Sequence, residues 1–110
     1  MDEQITPILR TADAEAALAW YARLGFAKDW EHRFEPDFPL FVAISRGPMR
    51  IFLPEHKGDA RPGTLVYLSV LDFEAVAAEF GLSMHQAPWG PEVELRDPDG
   101  NRLRIGMAQG

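Results

Sequence analysis

The chain has 110 residues, 46% hydrophobic and 25% charged, enough for one globular domain with one core and too few for two of ordinary size. Its net charge of −6 argues against a nucleic-acid partner, because phosphate-backbone recognition depends on clustered Lys and Arg. The absence of cysteine excludes a disulfide framework, a thiolate nucleophile and thiolate-bound metal, and no window approaches the roughly 18 consecutive apolar residues of a membrane span. The acidic start Met1-Asp2-Glu3-Gln4 lacks the positive charge and apolar stretch of a secretory signal, so the expected location is the cytoplasm, with no membrane partner. The same acidity either draws in a cationic ligand at long range or simply keeps a small protein soluble.

In chain order, Ile5 to Arg10 predicts a short strand. Asp13 is placed to cap a helix from about Ala14 to Leu24 that buries Leu18, Tyr21 and Leu24 and stops at Gly25. Phe26 to Phe34 reads as extended, and Glu35-Pro36-Asp37 breaks it. A strand resumes from Leu40 to Ser45 and turns at Arg46-Gly47-Pro48 into Met49 to Leu53. After a polar stretch, a strand from Thr64 to Val70 is followed by Asp72 as cap and a helix to about Phe80, then by an irregular segment. Glu92 to Leu95 and Asn101 to Gly106 form a hairpin around Asp97-Pro98-Asp99-Gly100. The order is βαβββ given twice, over residues 1–57 and 63–110 of a single α+β domain, with the second copy shortened after its helix.

Period-two alternation assigns the faces. Val93, Leu95, Leu103 and Ile105 share one side of the last hairpin, and Glu92, Glu94, Arg102 and Arg104 the other. Val66, Leu68 and Val70 join the helix-facing side with Met49, Ile51 and Leu53, leaving Leu65, Tyr67, Ser69, Arg50 and Phe52 opposite. That opposite face is either solvated or the lining of a cup, and Phe52 and Tyr67 speak for the lining. A turn centred on Pro98 and Asp99 sets Glu94 across from Arg104 and Glu92 across from Gly106, an ion pair that is structural or offers a polar ligand its charges. Trp89, between Pro88 and Gly90, is stiffly mounted where nothing requires it to be core; the alternative is that it plugs a subunit interface. Phe34, Phe38 and Trp30 surround the Pro36-Asp37 break and could form a facing wall. His32, His56 and His85 show no metal-ligand spacing, and no nucleophile–base pattern or phosphate-cradling glycine loop is present.

Three stretches resemble the vicinal-oxygen-chelate superfamily of glyoxalase I, fosfomycin-resistance proteins, extradiol dioxygenases and bleomycin-resistance proteins. They are Ile5 to Arg10 with Ala17-Leu18-Ala19-Trp20-Tyr21-Ala22-Arg23-Leu24-Gly25-Phe26, then Thr64 to Asp72, and Pro88-Trp89-Gly90 leading to Arg96-Asp97-Pro98-Asp99-Gly100-Asn101. The Pro88-Trp89-Gly90 run and the early Thr6-Pro7 pair look most like the bleomycin-resistance branch. The resemblance implies a cupped mixed sheet with helices on its outer face and a homodimer with clefts at the subunit boundary. It aligns the superfamily's metal-ligand positions with Thr6, Phe52, Leu65 and Arg104, none a usual ligand: Phe and Leu have no donor atom, Thr is a poor one, and Arg is permanently positive. It therefore implies no metal, no cofactor and no catalytic residue.

The expected function is reversible sequestration of a cytotoxic small molecule, a bleomycin-type glycopeptide antibiotic in first place. Trp89, Phe38, Phe34, Tyr67, Phe52, Glu94 and Arg104 are the expected ligand-binding residues. The alternative is a metal-dependent lyase, thiol transferase or dioxygenase of the same superfamily. Arg10, Arg50, Arg102 and Arg104 on one face leave an anionic or neutral ligand open.

Overall fold

In a computed structural model, which describes residues 3–108, the first helix, α1 (Ala14–Arg23), begins where the sequence places its cap. Asp13 Oδ1 accepts from the backbone N–H groups of Glu15 and Ala16 at 3.0 and 3.3 Å. A second carboxylate, Glu55, accepts from the Ala14 N–H at 2.9 Å, so two negative charges sit at the positive end of the helix. The chain leaves the helix through Gly25, at φ +90°, a conformation that L side chains rarely adopt. The buried stripe is Ala14, Ala17, Tyr21 and Leu24, while Leu18, expected inside, is only half-buried. Steps of three and four residues carry the seam through the alanines, leaving Leu18 at its edge.

The chain divides into two units, Met1–Pro62 and Gly63–Gly110. In the first, β1 (Ala27–His32), β2 (Phe41–Arg46) and β3 (Met49–Pro54) form an antiparallel sheet in the order β1-β2-β3. Val42, Ile44, Ile51 and Leu53 are buried with Leu9 and Tyr21. The strand expected over Ile5 to Arg10 is reduced to one parallel bridge, Ile8 to Phe52. Leu9 donates to the Phe52 carbonyl at 2.9 Å, Phe52 to the Pro7 carbonyl at 3.0 Å and Thr11 to the Pro54 carbonyl at 3.0 Å; Pro7 and Pro54, each lacking an N–H, stop the ladder on either side of the bridge.

The second unit holds β4 (Leu65–Val70), α2 (Phe73–Glu79), β5 (His85–Ala87), β6 (Gly90–Arg96) and β7 (Arg102–Met107). Its mixed sheet runs β4-β7-β6-β5, with β4 parallel to β7 and the other pairs antiparallel. Phe73 and Val76 of α2 are buried, as are Leu68, Val70, Val93, Leu95, Leu103 and Ile105, the apolar set that alternation assigns to one face. Asp72 precedes α2 as expected but makes no side-chain capping bond. The segment expected to be irregular contains β5, which completes the second βαβββ order. This edge strand escapes sequence detection because it is three residues long and buries only Ala87. Among the described residues no helix is long and apolar enough to cross a membrane.

The turn between β6 and β7 is held by a buried carboxylate. Asp97 Oδ1 accepts from the N–H groups of Asp99 and Asn101 at 2.8 and 2.9 Å, and Oδ2 accepts from Asn101 Nδ2 at 2.9 Å. Asn101 is fully buried and its Oδ1 accepts from the Gly63 N–H at 3.2 Å. Replacing Asp97 with Ala removes the acceptor for three donors, two of them on the buried Asn101. We predict that D97A lowers the unfolding free energy by about 3 kcal/mol in urea denaturation. An unchanged midpoint would show that the backbone alone holds the turn.

Candidate functional site

In the second unit β7 lies between β4 and β6, so its outward side chains occupy the middle of the sheet face away from α2. Arg102, Arg104 and Gly106 of β7, Glu92 and Glu94 of β6 and Tyr67 of β4 share that face. The observed register sets Glu94 against Arg104, Glu92 against Gly106 and Tyr67 against Arg104. A cleft of about 460 Å³ opens over it, lined by His85, Pro88, Trp89, Glu92, Glu94 and Arg104 among others. That volume is in the ordinary range of small-molecule sites.

The two glutamates of β6 differ sharply. Glu94 is one-third exposed and accepts a two-point fork from Arg102, Nε at 2.9 Å and Nη2 at 3.0 Å, together with Arg104 Nη2 at 3.1 Å. The hydrogen bonds from Arg102, then those from Arg104, hold its carboxyl down to about 2. Glu92 is 6% exposed and is met by neutral donors: the Trp89 indole Nε1–H donates to its Oε2, and the Tyr67 hydroxyl is its other hydrogen-bond partner. Tyr67 is held above the ordinary phenol range, first by desolvation and then by the bond to Glu92 and its charge. The Tyr67 hydroxyl lies directly over Gly106, where any Cβ would collide with it.

Trp89 stands in the two-residue loop Pro88-Trp89, closed by the Ala87–Gly90 pair of the β5–β6 hairpin. Gly90 at φ +136° completes the bend. The indole is 68% exposed although its Nε1 edge is tied to Glu92, so its ring faces are presented to the cleft and solvent.

In the first unit Trp30 stacks on Phe41, centroids 5.8 Å apart and planes 7° apart, and Phe52 packs against both at 5.7 and 5.3 Å. Phe34 and Phe38, both exposed, line a cavity of about 310 Å³ with Pro54, His56 and Asp59. Leu40, at the end of their loop, donates its N–H to Glu55 Oε1 at 3.0 Å.

The sequence-predicted residues thus fall into two sets. Trp89, Glu94 and Arg104 line one cleft, with Tyr67 linked to it through Glu92. Phe34 and Phe38 share a cavity in the first unit, where Phe52 joins the Trp30–Phe41 cluster. Sequence reasoning missed Glu92, placed on an open face but in fact buried, and Gly106, although a glycine inside a strand is itself a sign of close approach. At the positions that the sequence resemblance aligns with metal ligands, Phe52 packs against rings, Leu65 has no donor, and Arg104 is bonded to Glu94. Among the described residues no three of His, Asp and Glu converge as a metal-binding group.

A family model described as glyoxalase superfamily protein matches residues 1–109. Among solved structures, the bleomycin resistance determinant encoded on the transposon Tn5 matches with a TM-score of 0.78 at 21% identity, over 99% of this chain and 100% of that one. The bleomycin-binding protein of bleomycin-producing Streptomyces verticillus, complexed with copper(II)-bleomycin, gives 0.69 at 25% identity over 99% and 100%. Glyoxalase I of Leishmania major gives 0.70 at 17% identity over 97% and 87%. Among curated proteins none matches.

The Glu94 fork sets a pH dependence. A carboxyl depressed below its ordinary 4.5 stabilises the fold fully above that value and loses the contribution as pH falls toward about 2. In a carbon-13 titration of the Glu94 carboxyl we expect a midpoint near about 2, raised partway toward 4.5 by Arg104→Ala. A midpoint at the ordinary value in the unaltered protein would mean that the fork is open in solution.

Proposed function

Because the chain belongs to the glyoxalase superfamily, we propose that it is a metal-free small-molecule binding protein that sequesters a cytotoxic drug, a bleomycin-type glycopeptide in first place. The observation that carries this reading is Trp89, an exposed indole anchored by one edge beside a cleft of drug-binding size. A planar heteroaromatic group stacked on that ring would gain dispersion and desolvation without having to order the indole first. Glu94 and Arg104 supply the polar rim of this cleft and Tyr67 backs it, while Phe34, Phe38 and Phe52 offer aromatic surface within the first unit.

The arginines do not stand against a cationic drug. Arg102 and Arg104 contribute two positive charges to this face, and Glu92 and Glu94 two negative ones, with Glu94 bonded to both guanidinium groups. Similarity of fold to proteins solved with bleomycin supports the ligand class. Sequestration needs affinity and abundance but no catalytic group. The working form we propose is a cytoplasmic homodimer.

Similarity of fold to glyoxalase I supports a second reading, a metal-dependent enzyme of the same superfamily. It requires ligands other than Thr6, Phe52, Leu65 and Arg104. Near-stoichiometric divalent metal in the purified protein would favour it.

In calorimetric and fluorescence titrations with metal-free bleomycin we expect saturable binding. Trp89→Ala should weaken it by about tenfold or more while the circular dichroism spectrum stays unchanged. Absence of heat and of quenching in the unaltered protein would remove bleomycin as the ligand.

A further inference from the structure

An exposed tryptophan in a two-residue loop would ordinarily exchange among side-chain rotamers, and each freezing on binding would cost affinity. Trp89 instead has its Nε1–H fixed by Glu92, a carboxylate that is itself 94% buried and bonded to a second strand through Tyr67. Tyr67 reaches Glu92 only because its hydroxyl passes over Gly106, the residue directly across from Glu92 on β7. We infer that Tyr67 and Gly106 are positioning residues that hold the Trp89 indole at one tilt, Tyr67 by its own hydrogen bond to Trp89 and through Glu92, so that the cleft selects rigid planar ring systems over flexible apolar chains. The selectivity half of this inference rests on the proposal that Trp89 is the stacking surface for the ligand; the positioning half does not.

Tyr67, Glu92 and Trp89 bond to one another, and the space over Gly106 admits the phenol to that group. Without the empty space at Gly106 the Tyr67 ring must move; without the Tyr67 hydroxyl, Glu92 loses a donor in a buried place and can turn toward solvent; and a displaced Glu92 releases the indole. The Tyr67 proton is retained throughout the physiological pH range, since partial desolvation of this half-exposed ring and then the hydrogen bond to Glu92 and its charge oppose its loss, so the donor does not switch off.

Hydrogen exchange of the Trp89 indole N–H, with the indoles of Trp20 and Trp30 as internal references, tests the positioning directly and without any ligand. Tyr67→Phe keeps the ring and removes only the hydroxyl; it should speed Trp89 exchange by about tenfold and leave the backbone amides of Val93 and Ile105 unchanged. Gly106→Ala should do the same in the unaltered background and add nothing in a Tyr67→Ala background. Unchanged Trp89 exchange in Tyr67→Phe, or an undiminished Gly106→Ala effect when Tyr67 is already absent, would overturn the positioning role. Metal-free bleomycin is then titrated into the same variants, and we expect the loosened indole to bind it about tenfold more weakly. Bleomycin bound equally by Tyr67→Phe and the unaltered protein would overturn the selectivity claim. Failure of the unaltered protein to bind bleomycin would strike the drug-binding proposal and the selectivity resting on it, while the exchange data still decide the positioning.

Discussion

The buried carboxylate of Asp97 sets the register of the β6–β7 hairpin, and the register decides which side chains meet in the cleft. Its two oxygens accept three hydrogen bonds inside the turn, two of them from Asn101, so the observed alignment of the hairpin is the one that satisfies all three donors. A slip of one residue would carry Val93, Leu95, Leu103 and Ile105 to the outer face and turn the arginines into the core. Asn101 continues the constraint through its bond to the Gly63 N–H, and Arg102 donates to the Thr64 carbonyl at 2.8 Å, which starts β4 beside β7. Tyr67 then stands beside Arg104, and Glu94 across from it, as consequences of one turn.

Within that frame the sheet face uses the same residue type for two purposes. Glu92 and Glu94 are two positions apart on one strand and point the same way, yet only Glu94 is in reach of guanidinium groups. It binds both arginines and offsets one of their two positive charges. Glu92, further along the strand and covered by Trp89 and Tyr67, has neutral donors alone. A buried carboxylate without hydrogen bonds is strongly unfavourable, so the indole and phenol stabilise it as much as it orients them.

A carboxylate also organises the aromatic part of the first unit. Glu55 holds the Ala14 N–H with one oxygen and the Leu40 N–H with the other, and its own N–H donates to the Leu40 carbonyl at 2.9 Å. The loop that carries Phe34 and Phe38 is therefore tied at its end to the start of α1. Phe34 remains 76% exposed, in a T-shaped pair with His32 whose ring centroids are 4.5 Å apart, while Trp30, Phe41 and Phe52 form the packed part of the cluster. Rings held in place but left open suit ligand contact better than core formation.

The sequence by itself determined whatever depends on near neighbours. Asp13 and Gly25 mark the ends of α1, the Asp97-Pro98-Asp99-Gly100 run marks the last hairpin, and alternation separates Val93 and Leu95 from Glu92 and Glu94, because capping, turn chemistry and the two-residue period act over a few residues. The pairing of Glu94 with Arg104 was legible for the same reason. Only the tertiary structure decided what depends on which distant groups arrive at a given place. Pro7 and Pro54 together reduce the first strand to a bridge against β3, the seam of α1 passes Leu18 by, and β5 forms because β6 is there to pair with it. Arg102 joins Arg104 on Glu94, and Tyr67 crosses Gly106 to reach Glu92. Alternation states which face a side chain takes, but burial on that face depends on what covers it, and the cover for Glu92 comes from another strand and from a loop.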